Sequence, residues 1–326
     1  MQNLRLLFIY NGHAGNQKIL SRLSEVVDIF VKAGFMVTVY PTQGQGDAIR
    51  AASENKDEFD RIVCCGGDGT LYEVVRGLYC NEMAGPEHVG GGDCAGGISV
   101  PIGYIPAGST NDFANSLKLP KDIIEAAEVA VHGRSFLCDM GKFNEKPFVY
   151  VAAFGIFTDV SYETSQDMKN AIGHMAYLVE ALKRLPQMRT YKVRVEYDDK
   201  VLEDEFIYGM VSNSISVGGI QKITGNDVYL DDGLFEVTLI KPPTDPLDFQ
   251  EIGMAIVSGN EDIRVIKKFK TEKIRFFSEE PLSWTLDGEF GGSVKEAVLE
   301  NVHHTLPLIV PKDQELPSLE LIGNNQ

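Results

Sequence analysis

RIVCCGGDGTLYEVVRGL, residues 61–78, decides the fold. After Arg61 the run to Cys65 is apolar throughout, as in a strand covered on both faces. GGDGT (Gly66–Thr70) breaks it with a turn, and LYEVVRGL opens a helix. The same order recurs on both sides. Upstream, Leu4–Tyr10 (LRLLFIY) is a strand, NGHAG a Gly-rich turn, and Ile19, Leu20, Leu23, Val26, Val27 and Phe30 fall at helical spacing. Phe35–Tyr40 is a second strand, followed by a helix over GDAIRAASEN. Downstream, Ile102–Ile105 is a strand that runs into PAGSTNDFANSL. Strands alternating with helices imply right-handed crossovers, and so a doubly wound parallel sheet.

Past residue 134 the pattern changes. FLCDMGKF, KPFVYVAAFGIF, YKVRVEYDDKVLEDEFIYGMVSN, GLFEVTLIK, KIRFFS, LSWTLDGEF and AVLENV are short strand candidates between turn residues. Val193, Val195 and Tyr197 alternate with Arg194 and Glu196, and Asp198-Asp199 is a hairpin turn. This half reads as antiparallel β, in a sandwich or two packed sheets, with helical interruptions around 167–185 and 247–257. The expected domains are therefore 1–134, α/β, and 135–306, mainly antiparallel β. The tail from about residue 307 is free to return to the first domain. Residues 81–97, acidic and Gly-rich, read as a surface loop.

The chain has 326 residues, 44% hydrophobic and 24% charged, in keeping with two folded domains. A net charge of −17 excludes a general nucleic-acid binder. It also opposes docking on an anionic membrane unless basic residues gather on one face. Five cysteines without C-x-x-C spacing point away from zinc and toward a reduced, cytoplasmic setting. No signal-peptide pattern or run of about 18 apolar residues is present.

Three loops follow strands and should share the carboxyl edge of the sheet, where ligands of open α/β sheets collect. GGDGT offers glycines that let a phosphate approach the backbone, and free N–H groups at the helix start. Asp68 could not favour a phosphate by charge and would act through Mg²⁺ or a polar network. Thr70 can cap the helix. Asn11–Gly15 is a second such turn, with His13 a turn residue rather than a base. In the third, Ser109, Thr110, Asn111 and Asp112 are more polar groups than a helix cap needs.

GGDGTLYEVVRGL and PAGSTNDFA resemble the signatures of the diacylglycerol kinase catalytic domain, which sphingosine and ceramide kinases share. The resemblance covers nearly the whole chain and is strongest to the soluble bacterial diacylglycerol kinases. It implies an α/β domain like that of NAD kinases and phosphofructokinases, joined to a β-sandwich. It implies an ATP site made of Asn11, Gly12, His13, Ala14 and Gly15, of Thr42, and of Gly67, Asp68, Gly69, Thr70, Leu71, Tyr72 and Glu73. Ser109 completes that site, with Asn111 and Asp112 beside it. The sequence departs from the family where Gly12 replaces a proline, Ala14 a hydroxyl residue and Tyr72 an asparagine. Backbone N–H groups can replace the missing side-chain contact.

Two motifs in the β half complete the resemblance. In VYLDDGLFEV (228–237), Asp232-Gly233 is a natural turn into a strand. The resemblance implies a Mg²⁺ site made of the Asp232 carboxylate and the carbonyls of Tyr229 and Leu234, oxygen donors that suit a hard cation. In TLDGEF (285–290), Asp287 and Glu289 are two apart, so an extended segment points them to the same face. A hydroxyl nucleophile needs a proton acceptor within reach. The resemblance places the base in this segment: Glu289, with Asp287 as its orienting or metal-facing partner.

Two basic clusters interrupt the acidic surface: Lys169, Lys183, Arg184, Arg189, Lys192 and Arg194, and then Arg264, Lys267, Lys268, Lys270, Lys273 and Arg275. One such face could dock on lipid, at about 1 kcal/mol per basic residue. Trp284 is expected in the core. The six histidines show no ligand spacing, and His303 and His304, adjacent in a strand, should point to opposite faces.

The expected protein is thus an ATP- and Mg²⁺-dependent kinase of a lipid hydroxyl. It would be cytoplasmic, visiting the inner membrane face from outside the bilayer. Diacylglycerol is the first-choice acceptor and phosphatidylglycerol the next. A homodimer stays open. An NAD kinase shares GGDGT but leaves the TNDF loop and DGE turn unexplained. A non-catalytic regulator is opposed by the intact Asp68, Asp232, Asp287 and Glu289.

Overall fold

The computed structural model describes residues 4–79, 97–156, 189–221, 223–225, 227–245, 247–248, 251–252, 255 and 263–317. All but the last residue of the loop expected at 81–97, the helical interruption at 167–185 and most of that at 247–257 lie outside them. So do Lys169, Lys183 and Arg184 of the first basic cluster. The chain separates into two compact units, residues 1–140 with 303–326, and residues 141–302.

The first unit is wound around β1 (Leu4–Tyr10), β2 (Phe35–Pro41), β3 (Arg61–Gly66) and β4 (Ile102–Pro106), all parallel, in the order β2-β1-β3-β4. The continuous apolar runs take the inner places: β4, flanked on its other side by Leu308 near the end of the chain, is buried along its whole length, while β2, at the edge, is largely exposed. The connections are α1 (Lys18–Lys32), α2 (Asp47–Asn55) and α3 (Asp68–Tyr79); α4 (Asp112–Ser116) and α5 (Ile123–His132) follow β4. Ile19, Val26 and Phe30, one stripe of α1, pack with Leu6, Phe8 and Val63 of the sheet. Cys64, Cys65 and Cys138 are buried and form no disulfide, and burial pushes Cys65 up to about 12, so it stays a protonated core residue.

The second unit is antiparallel. β5 (Arg134–Phe143) leads into it, followed by β6 (Lys146–Phe148), β7 (Val151–Gly155), β8 (Tyr191–Tyr197), β9 (Lys200–Phe206), β10 (Tyr208–Ser212), β11 (Ser216–Val217), β12 (Ile220–Gln221), β13 (Phe235–Ile240), β14 (Ile266–Thr271), β15 (Lys273–Leu286) and β16 (Glu289–Val310). β14-β13-β10-β7-β15 are neighbours in that order. Along one edge β15 changes partner, Arg275–Ser278 pairing with β8 and Trp284–Leu286 with β7; along the other its register with β16 shifts between Phe277 and Leu282. A strand that changes neighbours at an irregularity is how two sheets share an edge around one core. Trp284, fully buried, stands in that core against Phe143, Phe154 and Phe276. Asp198 and Asp199 both have positive φ, as a two-residue turn between β8 and β9 requires.

Two expectations fail here. Asp287 and Glu289 do not share an extended face. Asp287 (φ 51) and Gly288 (φ 88) form a two-residue turn joining β15 to β16, which buries Asp287 and leaves Glu289 exposed. His303 and His304 do not diverge either. His304 has φ 52, which breaks the alternation of the strand, and the two rings stack with centroids 3.7 Å apart.

Candidate active site

In the first unit the loops after β1, β3 and β4 meet at the carboxyl edge of the sheet. The amide of Asn11 donates to the Cys65 carbonyl (2.9 Å), that of Thr42 to Tyr10 (2.9 Å) and that of Ala107 to Gly66 (2.7 Å). Glycine makes the approach possible. Gly15 has φ 52, and a Cβ there would lie 1.9 Å from the Ala107 carbonyl oxygen; one on Gly108 would lie 2.6 Å from Gly67 Cα. Gly12 is different, because a Cβ would meet only side chains at ordinary distance.

Several predicted residues shape the loops. The Asn11 side chain accepts from the His13 amide (3.0 Å). Asn111, at φ 54, both donates to the Gly108 carbonyl and accepts from its amide, each at 2.9 Å. Glu73 accepts from the amides of Gly46 (2.7 Å) and Ala48 (3.2 Å), so its carboxylate fixes the start of α2 beside Thr42. Thr70, Leu71 and Tyr72 are buried in the first turns of α3; His13 and Ser109 are exposed, while Ala14 and Gly69 are half-buried.

Asp68 is joined to the third loop directly. Its Oδ2 accepts the Asp112 amide at 2.9 Å, and the Tyr104 hydroxyl lies 3.4 Å from Oδ1. Burial pushes the Asp68 carboxyl up to about 6, and the negative Asp112 adds to this against the amides that it accepts. Two carboxylates, one from each of two loops, are thus placed at a sheet edge otherwise furnished with N–H donors. That combination suits a phosphate accompanied by a cation.

In the second unit both oxygens of Asp287 accept backbone amides: Val149 at 2.6 Å, Tyr150 at 2.9 Å and Val151 at 3.0 Å. Asp287 therefore pins the turn to the start of β7, and Glu289 emerges on its exposed side. Asp232 Oδ1 accepts the Leu234 amide (3.0 Å), which closes the expected turn, with Tyr229 half-buried upstream. Its Oδ2 lies 3.0 Å from Lys270 Nζ, which is also 3.3 Å from Glu236 Oε1 and 5.1 Å from the centre of the Tyr229 ring. Burial pushes Glu236 up to about 8, and its Oε2 has no hydrogen-bond partner among the described residues. A buried acid pair with an unused carboxylate oxygen fits a hard cation, whose charge Lys270 here partly replaces.

The sequence reading missed Lys270 and Glu236. The signal for Glu236 was a lone charge in the apolar strand FEVTLI; Lys270 was read as surface. Arg264 pairs with Asp245 and Asp248, Lys270 with Asp232 and Glu236, and Lys273 with Glu300. Among the described residues, at least three of the six bases of that cluster are thus already in ion pairs.

Comparison with known proteins fits this layout. Residues 5–143 match the family model of the diacylglycerol kinase catalytic domain, and residues 151–310 that of the YegS C-terminal NAD kinase beta sandwich-like domain. A diacylglycerol kinase of Staphylococcus carnosus (strain TM300) is 34% identical over 95% of this chain and 96% of its own. The chain belongs to the diacylglycerol kinase family. A second member, from Bacillus subtilis (strain 168), is 30% identical over 95% of this chain and 97% of its own. The crystal structure of a diacylglycerol kinase from Bacillus anthracis str. Sterne superposes with a TM-score of 0.71 at 24% identity, covering 95% of this chain and 98% of that one; it bears on the fold alone. As a family member this chain is a lipid kinase, with an α/β first domain, a β-sandwich second and ATP as the substrate that the family implies. Among the described residues, no helix is long and apolar enough to cross a membrane, which says nothing of β-barrels.

Proposed function

We propose that this chain transfers the γ-phosphoryl group of ATP, with Mg²⁺, to the hydroxyl of diacylglycerol, giving phosphatidic acid and ADP. The observation that carries the reading is the meeting of three Gly-bearing loops around the Asp68–Asp112 pair at one sheet edge. Amides of Asn11–Gly15 and Gly67–Gly69 would hold the phosphates, while Thr42 and Ser109 border the nucleotide. The hydroxyl oxygen attacks the γ-phosphorus, the bond to the β–γ bridging oxygen breaks, and Glu289 accepts the hydroxyl proton. Asp287 keeps Glu289 aimed through the rigid turn between them.

Tyr229, Asp232 and Leu234, with Glu236 nearby, are the residues that would hold Mg²⁺. When bound, the cation supplies charge neutralisation and a fixed oxygen-rich anchor. The lipid is met at a membrane surface, with the protein a transient visitor on the cytoplasmic face.

Phosphate transfer from labelled ATP to diacylglycerol in mixed micelles tests this, with phosphatidylglycerol, a sphingoid base and NAD in parallel. Labelled phosphatidic acid is the expected product. Transfer to another lipid alone would reassign the acceptor, and transfer to NAD alone would overturn the reading.

A further inference from the structure

Asp139 on β5 and the adjacent His303 and His304 on β16 form a cluster that the phosphoryl-transfer reading does not use. All three belong to the first unit. Their donor atoms lie within 4.8 Å of one another. Asp139 Oδ1 is 2.8 Å from His303 Nδ1 and accepts the His304 amide at 2.9 Å. The carboxylate is fully buried while the His303 side chain is 52% exposed, so the cluster has a fixed floor and an open mouth. The left-handed backbone of His304 is what puts its ring over that of its neighbour. A non-glycine residue held there costs roughly 1 kcal/mol or more.

We propose that Asp139, His303 and His304 form a binding site for a divalent transition metal of the zinc class. Two imidazoles and a carboxylate suit Zn²⁺, Co²⁺ or Ni²⁺ and not Mg²⁺, which demands oxygen donors. With bonds of about 2.1 Å, neighbouring ligands around such an ion sit roughly 3 Å apart. The His303–Asp139 contact already has nearly that length. The rings lie in nearly parallel planes, so His304 turns about its side chain to bring its nitrogen to the shared ion, and its partial exposure leaves room to do so. Water fills the remaining positions. The ion would tie β5 to β16 beside residues 140–141 and 302–303, where the chain passes between its two units. The sequence-based expectation of no ligand spacing among the histidines misses this because the carboxylate comes from 164 residues away.

Calorimetric titration of the untagged, metal-stripped chain with Zn²⁺ in excess Mg²⁺ tests the proposal. One Zn²⁺ per chain is expected. The affinity should fall at least about tenfold in both His303→Gln and His304→Gln, while their metal-free thermal midpoints stay at that of the parent. No binding in excess Mg²⁺, or wild-type affinity in either variant, would overturn it.

Discussion

The Asp287 carboxylate receives the backbone N–H of Val149 at 2.6 Å, across 138 residues of chain, and its other oxygen takes Tyr150 and Val151. A buried carboxylate satisfied three times over is a structural clamp, and the exposed Glu289 two residues on is the proposed base. The two acids should therefore fail differently. Asp287→Ala strands three buried donors and should cost about 3–5 kcal/mol in urea unfolding. Glu289→Gln should stay within about 0.5 kcal/mol of wild type and lose roughly 10²- to 10⁴-fold in turnover, with ATP affinity kept. A stable, fully active Glu289→Gln protein would remove the base from this turn.

Gly12 and Gly15 make a second contrast within one loop. Gly15→Ala forces a Cβ against the Ala107 carbonyl at a positive φ, so the first and third loops must part. Its KM for ATP should rise by at least about tenfold while kcat changes less, since the loss is of phosphate-binding amides. Gly12→Ala meets no backbone and should leave both constants nearly unchanged. Equal effects from the two substitutions would mean that the loop contact is not what shapes the site.

Lys270 and Glu236 face each other across the β13–β14 ladder, and Lys270 Nζ reaches Asp232 as well. Lys270→Met leaves two buried acids without their cation. The expected loss is about 1–2 kcal/mol, less than for a fully buried pair because the lysine is 30% exposed. Mg²⁺ should then recover more stability in the variant than in the parent, and EDTA should reverse the gain. Thermal midpoints with and without Mg²⁺ read this directly; equal shifts in both proteins would show that no cation takes the place of Lys270.

How much of this was legible in the sequence depended on range. The inner strands β1, β3 and β4 are continuous apolar runs closed by Gly-rich loops, so the parallel half and its three-loop edge can be read locally. The turn at Asp198-Asp199 is equally local. What failed was conformation or register that the residue pattern does not carry. The DGE turn was legible but not its shape: positive φ at both Asp287 and Gly288, rather than an extended segment, turns Asp287 and Glu289 to opposite environments. Lys270 looked like part of a membrane-facing cluster, because its partner is set by the pairing of β13 with β14. Asp139 and His303 meet only because β5 and β16 pair.

Asp68 carries a prediction about pH. Its carboxyl is raised to about 6 from 3.8, mainly by burial. Between those values the folded chain holds the proton and the unfolded chain has released it, so stability falls as pH rises from about 4 to 6 and stays reduced above. Two pKa units correspond to about 3 kcal/mol at pH 7. Asp68→Asn keeps an acceptor for the Asp112 amide and removes the buried charge. The variant should be more stable than the parent by about 1–3 kcal/mol at pH 8, with the gain shrinking toward zero near pH 4. Turnover should fall by at least about a hundredfold if the charge serves the phosphoryl group and its cation. Unfolding curves at pH 4.5 and 8, set beside the kinase rate, measure both sides of that exchange. A variant less stable than the parent at pH 8 would mean that ionised Asp68 is held by more than the amides and hydroxyl seen around it.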